Sequence, residues 1–366
     1  MGTVVRKLWG AALVLGLVLA AAACGGGGRQ GEPRDNRTPT IALLLPETKT
    51  TRYESHDRPN FEQRVRALCS ECQILYSNAG QDASKQQSQA EAALTNGADV
   101  LVLDPVDSRS AAAIVATADQ ASIPVISYDR LILDADVDYH VSFDAVRVGE
   151  LQAQALVDRL EATGQGNGTI VMINGAPSDN NAKLVKQGAH SVIDASNLRV
   201  GQEFDTPDWS PDQAQKEMEQ ALTKLGADTI AGVYAANDGM AGGAIAAMKG
   251  AGVDPLPPVT GQDAELAAIQ RILAGEQYMT IYKAIKLEAG AAATLAVALA
   301  RGEEPPAGLV SQTVNNGRKD VPTAQLDLVA VTKDNADETV IADGFWAVEE
   351  ICTPDFANAC TQVGLR

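Results

Sequence analysis

The stretch Pro124-Val125-Ile126-Ser127-Tyr128-Asp129-Arg130 begins as a short apolar run, of the kind that forms a buried strand, and ends in charged side chains. In open α/β sheets, ligands bind in the crevice beyond the carboxyl ends of the strands. The same succession of an apolar run and a polar cluster occurs three more times, ending in Ser178-Asp179-Asn180-Asn181, Ala236-Asn237-Asp238 and Gly261-Gln262-Asp263. The four clusters together predict one polar pocket, suited to a ligand covered in hydroxyl groups.

Working outward from this stretch, strand-like and helix-like segments alternate from residue 40 onward. Such a βαβ series indicates a parallel sheet covered on both faces. Twelve or more such units are too many for one sheet, so the predicted fold class is α/β with two doubly wound parallel-sheet lobes. The first crossing between lobes is expected at residues 141–144. Predicted strands are 40–45, 73–77, 100–103, 124–127, 169–173, 229–234, 258–260 and 279–282; predicted helices are 58–68, 84–96, 108–120, 147–162, 181–195 and 210–225, with three more beginning near 238, 264 and 284.

The amino-terminal segment indicates export. Arg6 and Lys7 precede an apolar stretch, 8–23, that is short for a membrane span and ends in small residues before Cys24. Residues 1–23 are therefore expected to be a signal peptide, and residues 24–39 a flexible tether. The segment 19–24 resembles a bacterial lipobox, which implies a lipid on Cys24 and a protein anchored outside the cytoplasm to the bacterial cell membrane. The alternative is an ordinary secretion signal with an incidental cysteine.

The size and net charge of the chain limit the number of domains and the kinds of partner that are expected. A chain of 366 residues is long enough for about two domains with substantial cores. Its formal net charge of −18 argues against nucleic acid as a partner, because phosphate binding needs a positive surface.

The four remaining cysteines can be oxidised in an exported protein. Their spacing favours two local bridges, Cys69 with Cys72 and Cys352 with Cys360, among three possible connectivities. A redox site at Cys69-x-x-Cys72 is the alternative, but redox motifs open a helix, whereas this pair follows one. A zinc site lacks the ligand spacing, because His56, His140 and His190 are isolated from one another and from the cysteines. No metal and no cofactor is expected.

Several longer blocks carry a family resemblance. Taken in order along the chain, they are similar to the periplasmic D-xylose-binding proteins of bacterial ABC sugar importers, which are type I periplasmic binding proteins. The resemblance implies two lobes joined by three hinge crossings that close over a sugar. The blocks are 128–136, 142–144, 148–153, 179–184, 237–245, 261–264, 282–283 and 315–322.

The resemblance also implies the domain boundaries. The later crossings are expected near 281–284 and 313–317. The first lobe would comprise residues 40–143 and 284–314, and the second lobe 144–283 and 315–345. Residues 346–366 would form a carboxy-terminal tail with a local disulfide.

The family pattern places the ligand contacts position by position. Carboxylates would accept the protons that sugar hydroxyls donate, while Arg, Lys and Asn side chains would donate to the oxygens. An aromatic ring suits the flat C–H face of a sugar. Trp209 would cover one face, and Tyr53 stands where the family has a tryptophan, within a first loop (46–53) that lacks the family's paired aspartates. The predicted ligand-binding residues are Arg52, Tyr53, Asp129, Arg130, Asp179, Asn181, Trp209, Asn237, Asp263 and Lys283.

Each of these residues also has a structural interpretation on its own. Asp129, Asp179, Asp238 and Asp263 could cap the helices that follow their strands, and for Asp238 capping is the preferred interpretation. Asn181, Asn237, Arg52, Lys283 and Trp209 could be turn, solvated or packing residues. Their joint occurrence at family positions favours one shared site for all but Asp238.

An enzyme is not expected, because the chain lacks a G-x-S-x-G elbow, a phosphate loop and an H-E-x-x-H pair. A sugar-cleaving hydrolase built on a carboxylate pair is a distant alternative. The resemblance implies a monomer that delivers a monosaccharide, D-xylose first among the candidates, to a separate permease and its ATPase. A binding protein that reports sugar to a membrane receptor or kinase is the main alternative.

Overall fold

The computed structural model describes residues 37–365. Predictions that concern residues 1–36, including the signal peptide and the lipid on Cys24, lie outside the described residues. The strands, in chain order, are β1 (Thr40–Leu45), β2 (Gln73–Asn78), β3 (Val100–Leu103), β4 (Val125–Tyr128), β5 (Tyr139–Phe143), β6 (Thr169–Asn174), β7 (Arg199–Asp205), β8 (Ile230–Ala235), β9 (Met279–Lys283), β10 (Gln312–Asn315), β11 (Asp320–Leu326) and β12 (Leu328–Thr332).

Helices alternate with these strands along most of the chain. Their number and order confirm an α/β fold with parallel sheets. None of the helices between residues 37 and 365 combines the length and apolar character that crossing a membrane requires. The helices are α1 (Arg58–Leu68), α2 (Ala83–Thr95), α3 (Ala112–Gln120), α4 (Ala145–Ala162), α5 (Asn180–Ile193), α6 (Pro211–Leu225), α7 (Asp238–Gly250), α8 (Leu266–Ala274), α9 (Ile285–Arg301), α10 (Val348–Ile351) and α11 (Ala357–Gln362).

The first lobe is built on a seven-stranded sheet in the order β10-β11-β5-β4-β3-β1-β2. The strands from β11 to β2 run parallel, and β10 is antiparallel to β11 at one edge. Its central strands are buried on both faces, because β3 consists of Val and Leu residues alone and helices cover each side of the sheet. This lobe thus has the continuous apolar strands that a two-sided parallel sheet requires.

The second lobe contains a parallel sheet in the order β7-β6-β8 and an antiparallel pair of β9 with β12. The segment predicted as a strand at 258–260 does not form a full strand. It lies between β8 and β9, with isolated bridges from Val259 to Val233 and, just after the segment, from Gln262 to Ile281. Strand β7 was not predicted, since its sequence Arg-Val-Gly-Gln-Glu-Phe-Asp is polar and half-exposed. Edge strands carry a weak apolar signal.

The chain crosses between the lobes three times. The first crossing follows Phe143, since α4 packs on α5 of the second lobe, and the second lies between Lys283 and Ile285, since α9 packs on α1 of the first lobe. The third crossing was expected near 313–317. In the structure, β11 pairs with β5 of the first lobe up to Leu326, and β12 pairs with β9 of the second lobe. The polar turn before β11 therefore closes a hairpin within the first lobe, and the crossing falls between β11 and β12. Residues 315–326 belong to the first lobe.

The carboxy-terminal segment packs onto the second lobe. Ile351 and Cys360 are buried in the same cluster as Ala264 and Ile269, next to α8. The cysteines pair locally, with Cys69 bonded to Cys72 at the end of α1 and Cys352 bonded to Cys360. Residues 346–365 are thus part of the second lobe's core and not a separate tail.

Candidate functional site

All ten predicted ligand-binding residues line one cavity between the two lobes. Their role as ligand contacts stays a prediction, but the fold brings together side chains that lie as far apart in sequence as Arg52 and Lys283. Seven other lining residues were not predicted as ligand contacts, although Ser142, Phe143, Val148 and Gln262 lie within the blocks that carry the resemblance. The seven are Thr50, Ser142, Phe143, Ala145, Val148, Val185 and Gln262.

The polar clusters meet because each lies at the carboxyl end of a parallel strand. Asp129 and Arg130 follow β4, Asp179 lies between β6 and α5, and Asn237 lies between β8 and α7. Asp129 and Asp263 both have a positive φ, 51° and 89°. Left-handed backbone is costly for residues other than glycine and persists where the surroundings hold it, often at functional sites. These turns direct the two carboxylates into the cavity.

Arg52 is held by carboxylates on every side. Its Nε and Nη2 donate to Asp57 at 2.9 and 2.7 Å, Nη1 donates to Asp129 at 2.5 Å, and Nη2 also donates to Glu288 at 2.7 Å. Burial opposes the charge of Arg52, but the carboxylates of Asp129, Asp57 and Glu288 outweigh it and raise the pKa of Arg52. The guanidinium is therefore charged and fixed in orientation.

Arg130 is fixed in a similar way at the other end of the cavity. Its Nε lies 3.0 Å from Asp179 Oδ2 and 3.6 Å from Asp104 Oδ1, and its Nη2 donates to the Tyr53 hydroxyl at 3.2 Å. Burial raises the pKa of Asp104 well above its usual range, and neither of its carboxyl oxygens accepts a hydrogen bond from the described residues. The Asp104 side chain thus lies next to Arg130 in the interior of the first lobe.

Lys283 supplies the third cation, at the second crossing. Its Nζ lies 2.9 Å from Asp263 Oδ1 and 3.9 Å from Asp129 Oδ2, and it stands over the Phe143 ring at 5.7 Å from the ring centre. Burial disfavours its charge, but Asp129 and Asp263 raise the pKa of Lys283. A hinge residue is thereby tied to a carboxylate from each lobe.

Two side chains at the start of α5 contact the first lobe across the cavity. Asn181, on α5, donates through Nδ2 to Asp129 Oδ1 at 2.9 Å, and Asp179 pairs with Arg130. Asp179 also caps α5 by accepting from the Asn181 backbone N–H. Asp179 therefore caps α5 and also lines the cavity, while its contact with a ligand stays a prediction.

Trp209 forms an apolar wall of the cavity. Its Nε1 donates to Asp179 Oδ2 at 3.1 Å, and its indole lies against Gly175, where a Cβ atom would come within 2.2 Å of the ring. Glycine at this position is what lets the indole lie flat. Tyr53 lies at the first-lobe side of the cavity, with the guanidinium carbons of Arg52 and Arg130 5.4 and 5.9 Å from its ring centre.

Asp238 does not cap α7, so the interpretation of this residue as a cap is wrong. Asn237 is the N-cap and accepts from the Met240 N–H at 2.9 Å. Asp238 is fully buried and accepts hydrogen bonds from Gln277, Thr280 and the Glu265 backbone N–H. It therefore joins α7 to the loop that carries Asp263, outside the cavity.

The lining charges balance. Three cations, Arg52, Arg130 and Lys283, face three carboxylates, Asp129, Asp179 and Asp263. Burial opposes ionisation of Asp129, but Arg52 and Lys283 outweigh it and lower the pKa of Asp129 to about 2. The lining thus offers strong donors and acceptors with cations and carboxylates in equal number, which suits a neutral ligand rich in hydroxyl groups.

Two α/β lobes joined by three crossings, with a buried polar cavity between them, define the class of bilobal ligand-binding proteins that close on a small molecule. A family model described as a periplasmic binding protein domain matches residues 41–304, and the chain belongs to this family. The prediction that it is a binding protein and not an enzyme is therefore confirmed.

Individual relatives agree with this assignment. The chain is 40% identical to the D-xylose-binding periplasmic protein of Escherichia coli strain K12 over 315 residues, covering 85% of this chain and 92% of the relative. It is 33% identical to the multiple sugar-binding periplasmic receptor ChvE of Rhizobium radiobacter, over 85% of this chain and 92% of that protein. Among solved structures, a carbohydrate transporter solute-binding protein from Chloroflexus aurantiacus in complex with D-glucose aligns with a TM-score of 0.77 at 30% identity, covering 86% of this chain and 98% of that one.

Proposed function

We propose that this protein binds one neutral monosaccharide reversibly in the cavity between its lobes, with D-xylose as the first candidate, and delivers it to the permease of an ABC importer. The observation that carries the proposal is the balanced lining of three cations and three carboxylates beside the Trp209 indole. A pyranose presents hydroxyls around its rim and C–H groups on its faces, so it matches both parts of this lining. The similarity to D-xylose-binding proteins supports the choice of sugar.

One buried carboxylate oxygen supports the same proposal. Asp263 Oδ1 forms an ion pair with Lys283 Nζ at 2.9 Å and accepts no further hydrogen bond from the described residues. A carboxylate oxygen has two lone pairs, so this ion pair leaves a position for a second donor. A sugar hydroxyl in the cavity would fill that position.

Calorimetric titration of the chain from residue 24, with Cys24→Ser to prevent lipidation, tests the proposal. D-Xylose, glucose, arabinose, galactose and ribose are titrated separately, with galacturonate as the charged control. We expect binding of at least one neutral sugar, strongest for D-xylose, and none of galacturonate, because the cavity has no spare cation for its carboxylate. No heat from any neutral sugar would contradict the sugar assignment.

We further propose that the mature protein is an extracytoplasmic lipoprotein held at the cell membrane through Cys24, on the evidence of the lipobox-like segment 19–24. Metabolic labelling with an alkyne fatty acid should mark the wild-type chain and not Cys24→Ser. A soluble, unlabelled wild-type protein would contradict the anchor.

A sensing role is the second candidate, because one similar protein is described as a sugar-binding receptor. Cells that lack the chromosomal copy of the gene separate the two roles. Loss of labelled D-xylose uptake, restored by the wild-type chain, would support import. Unchanged uptake, with loss of sugar-induced gene expression, would support sensing.

A further inference from the structure

A shallow apolar groove runs along the outside of the first lobe between α1 and α9, on the far side of these helices from the cavity. We call it the α1–α9 groove. Leu287 is 60% exposed on its edge, more than any other large apolar side chain among the described residues. A single exposed leucine needs no explanation, but a leucine beside a groove whose lining includes small residues has the form of a helix-binding surface. The apolar lining is Ala67, Leu287, Gly290, Ala291, Leu309 and Leu326.

The groove is flanked by two cations that have no counter-ion among the described residues. Arg64 on α1 and Lys286 on α9 both line it, and neither forms an ion pair with any residue between Arg37 and Leu365. The neighbouring Arg58 pairs with Glu54 and Glu62, and Arg66 pairs with Glu62, so these arginines are already compensated. Arg64 and Lys286 therefore make the groove itself locally positive, on a chain whose net charge is −18. Charge complementarity calls for a partner that brings carboxylates.

A second copy of this chain fits the groove poorly. In a two-fold dimer the same patch meets itself, so Arg64 and Lys286 would face their own counterparts. Like charges placed together at an interface cost several kcal/mol. The charge pattern thus favours a different protein over self-association.

The position of the groove next to the hinge indicates what a partner could detect. Lys286 and Leu287 lie in the first turn of α9, directly after the second crossing, and Leu326 is the last residue before the third. On the inner side of α9, Glu288 contacts Arg52 of the cavity. Hinge residues absorb the backbone change when lobes move. A partner held in the groove therefore contacts the elements that move when the lobes close.

We propose that the α1–α9 groove is the docking site for an amphipathic segment of the membrane permease that carries apolar side chains flanked by carboxylates. The proposal rests on the importer function proposed above and adds the surface that the permease contacts.

Gly290 offers a direct test. A Cβ atom built on Gly290 meets no atom within 4 Å, so Gly290→Glu places a side chain in the groove, and a negative charge beside Arg64 and Lys286, without a clash in the fold. Gly250 at the end of α7 in the second lobe is equally open, so Gly250→Glu is the matched control. Leu287→Ser removes the exposed apolar anchor as a second variant. Each chain is measured for D-xylose affinity by calorimetry, for melting temperature, and for labelled D-xylose uptake in cells lacking the chromosomal gene.

We expect all variants to keep wild-type affinity and melting temperature, while Gly290→Glu and Leu287→Ser lower uptake by about tenfold or more and Gly250→Glu does not. Uptake at the wild-type level with Gly290→Glu would overturn the docking site. So would sedimentation data that show the wild-type chain to be a dimer and the Gly290→Glu chain to be a monomer. A wild-type chain that binds the sugar but restores no uptake would also contradict a permease docking site. Absence of sugar binding by the wild-type chain would instead be a failure of the proposed function.

Discussion

Asp263 is the residue whose environment most directly predicts a ligand contact. Its buried Oδ1 forms an ion pair with Lys283 Nζ at 2.9 Å and accepts no other hydrogen bond from the described residues. We expect Asp263→Asn to weaken sugar binding by about 1 to 3 kcal/mol, roughly tenfold to a hundredfold, because the amide loses the charge-assisted bond and leaves Lys283 without its nearest counter-ion. Calorimetry on the variant measures this loss. Asp228→Asn, at an exposed position, is the control, and equal affinity for both variants would remove Asp263 from the site.

Glu265 predicts a pH dependence of stability. It lies buried at the start of α8, where burial, with the negative charge of Asp263, raises the pKa of Glu265 to about 7 from a usual 4.5. Between about pH 4.5 and 7 the unfolded chain releases this proton while the folded chain keeps it. The folded state is therefore progressively destabilised as the pH rises through that interval, by up to roughly 3 kcal/mol.

The variant Glu265→Gln isolates this effect, because glutamine keeps the acceptor facing the Thr51 N–H and does not titrate. We expect its free energy of unfolding to change less between pH 5 and 8 and to exceed that of the wild type above pH 7. Urea unfolding at four pH values measures both, with the exposed Glu349→Gln as control. Parallel pH profiles for wild type and Glu265→Gln would show that Glu265 is ionised throughout.

At the scale of elements, two glycines let α4 and α5 pack in close contact. A Cβ on Gly149 would lie 1.9 Å from the Val185 carbonyl oxygen, and one on Gly188 would lie 2.0 Å from that of Val146. Gly149→Ala should therefore push the helices apart and lower the free energy of unfolding by about 1 to 3 kcal/mol or more.

The same change should weaken sugar binding, because α5 carries Asn181 and Asp179 at its start. Gly290→Ala, with open space above it, is the matched control and should be neutral or stabilising by up to about 1 kcal/mol. Denaturant unfolding and calorimetry on both variants decide the matter. Equal stability for the two would mean that the close approach of α4 and α5 does not constrain the fold.

At the scale of the whole molecule, an aromatic contact joins the lobes outside the cavity. The His56 ring, just before α1, stacks on Phe345 of the second lobe at 4.0 Å between ring centres, and Trp346 meets His56 edge-on at 4.6 Å. Trp346 also donates through Nε1 to the carbonyl oxygen of Ala264, the neighbour of Asp263. Movement of the lobes about the three crossings would break this stack.

We therefore expect Phe345→Ala to weaken sugar affinity by about threefold to tenfold, although Phe345 does not line the cavity, because the stack favours the arrangement in which the lobes meet. Small-angle scattering with saturating D-xylose should show a larger radius of gyration for the variant than for the wild type. Phe356→Ala, a change on the same lobe that leaves the stack intact, should match the wild type. Unchanged affinity and scattering with Phe345→Ala would contradict a role in closure.

Residue pattern alone was enough to predict much of the fold and the composition of the cavity. Alternating periods of strand and helix identify a parallel α/β architecture locally. Ligands bind in the crevice beyond the carboxyl ends of such strands, so Asp129, Asp179, Asn237 and Asp263 could be grouped before any coordinates. The family resemblance added Arg52, Trp209 and Lys283. These inferences work because period and capping are local properties of a chain.

Only the tertiary structure decided which charges pair and where the lobes exchange strands. Arg52 meets Glu288 across 236 positions and Asp129 across 77, and nothing near any of these residues in sequence records the pairing. The sequence around Asp238 is typical of a helix cap, yet its buried carboxylate accepts hydrogen bonds from Gln277 and Thr280. The packing of distant elements determines which donors a carboxylate reaches. The position of the third crossing likewise depends on the pairing of β11 with β5. The sequence by itself therefore determined the architecture and the residue types of the cavity, whereas long-range packing decided their partners, their ionisation and the surfaces left free on the outside.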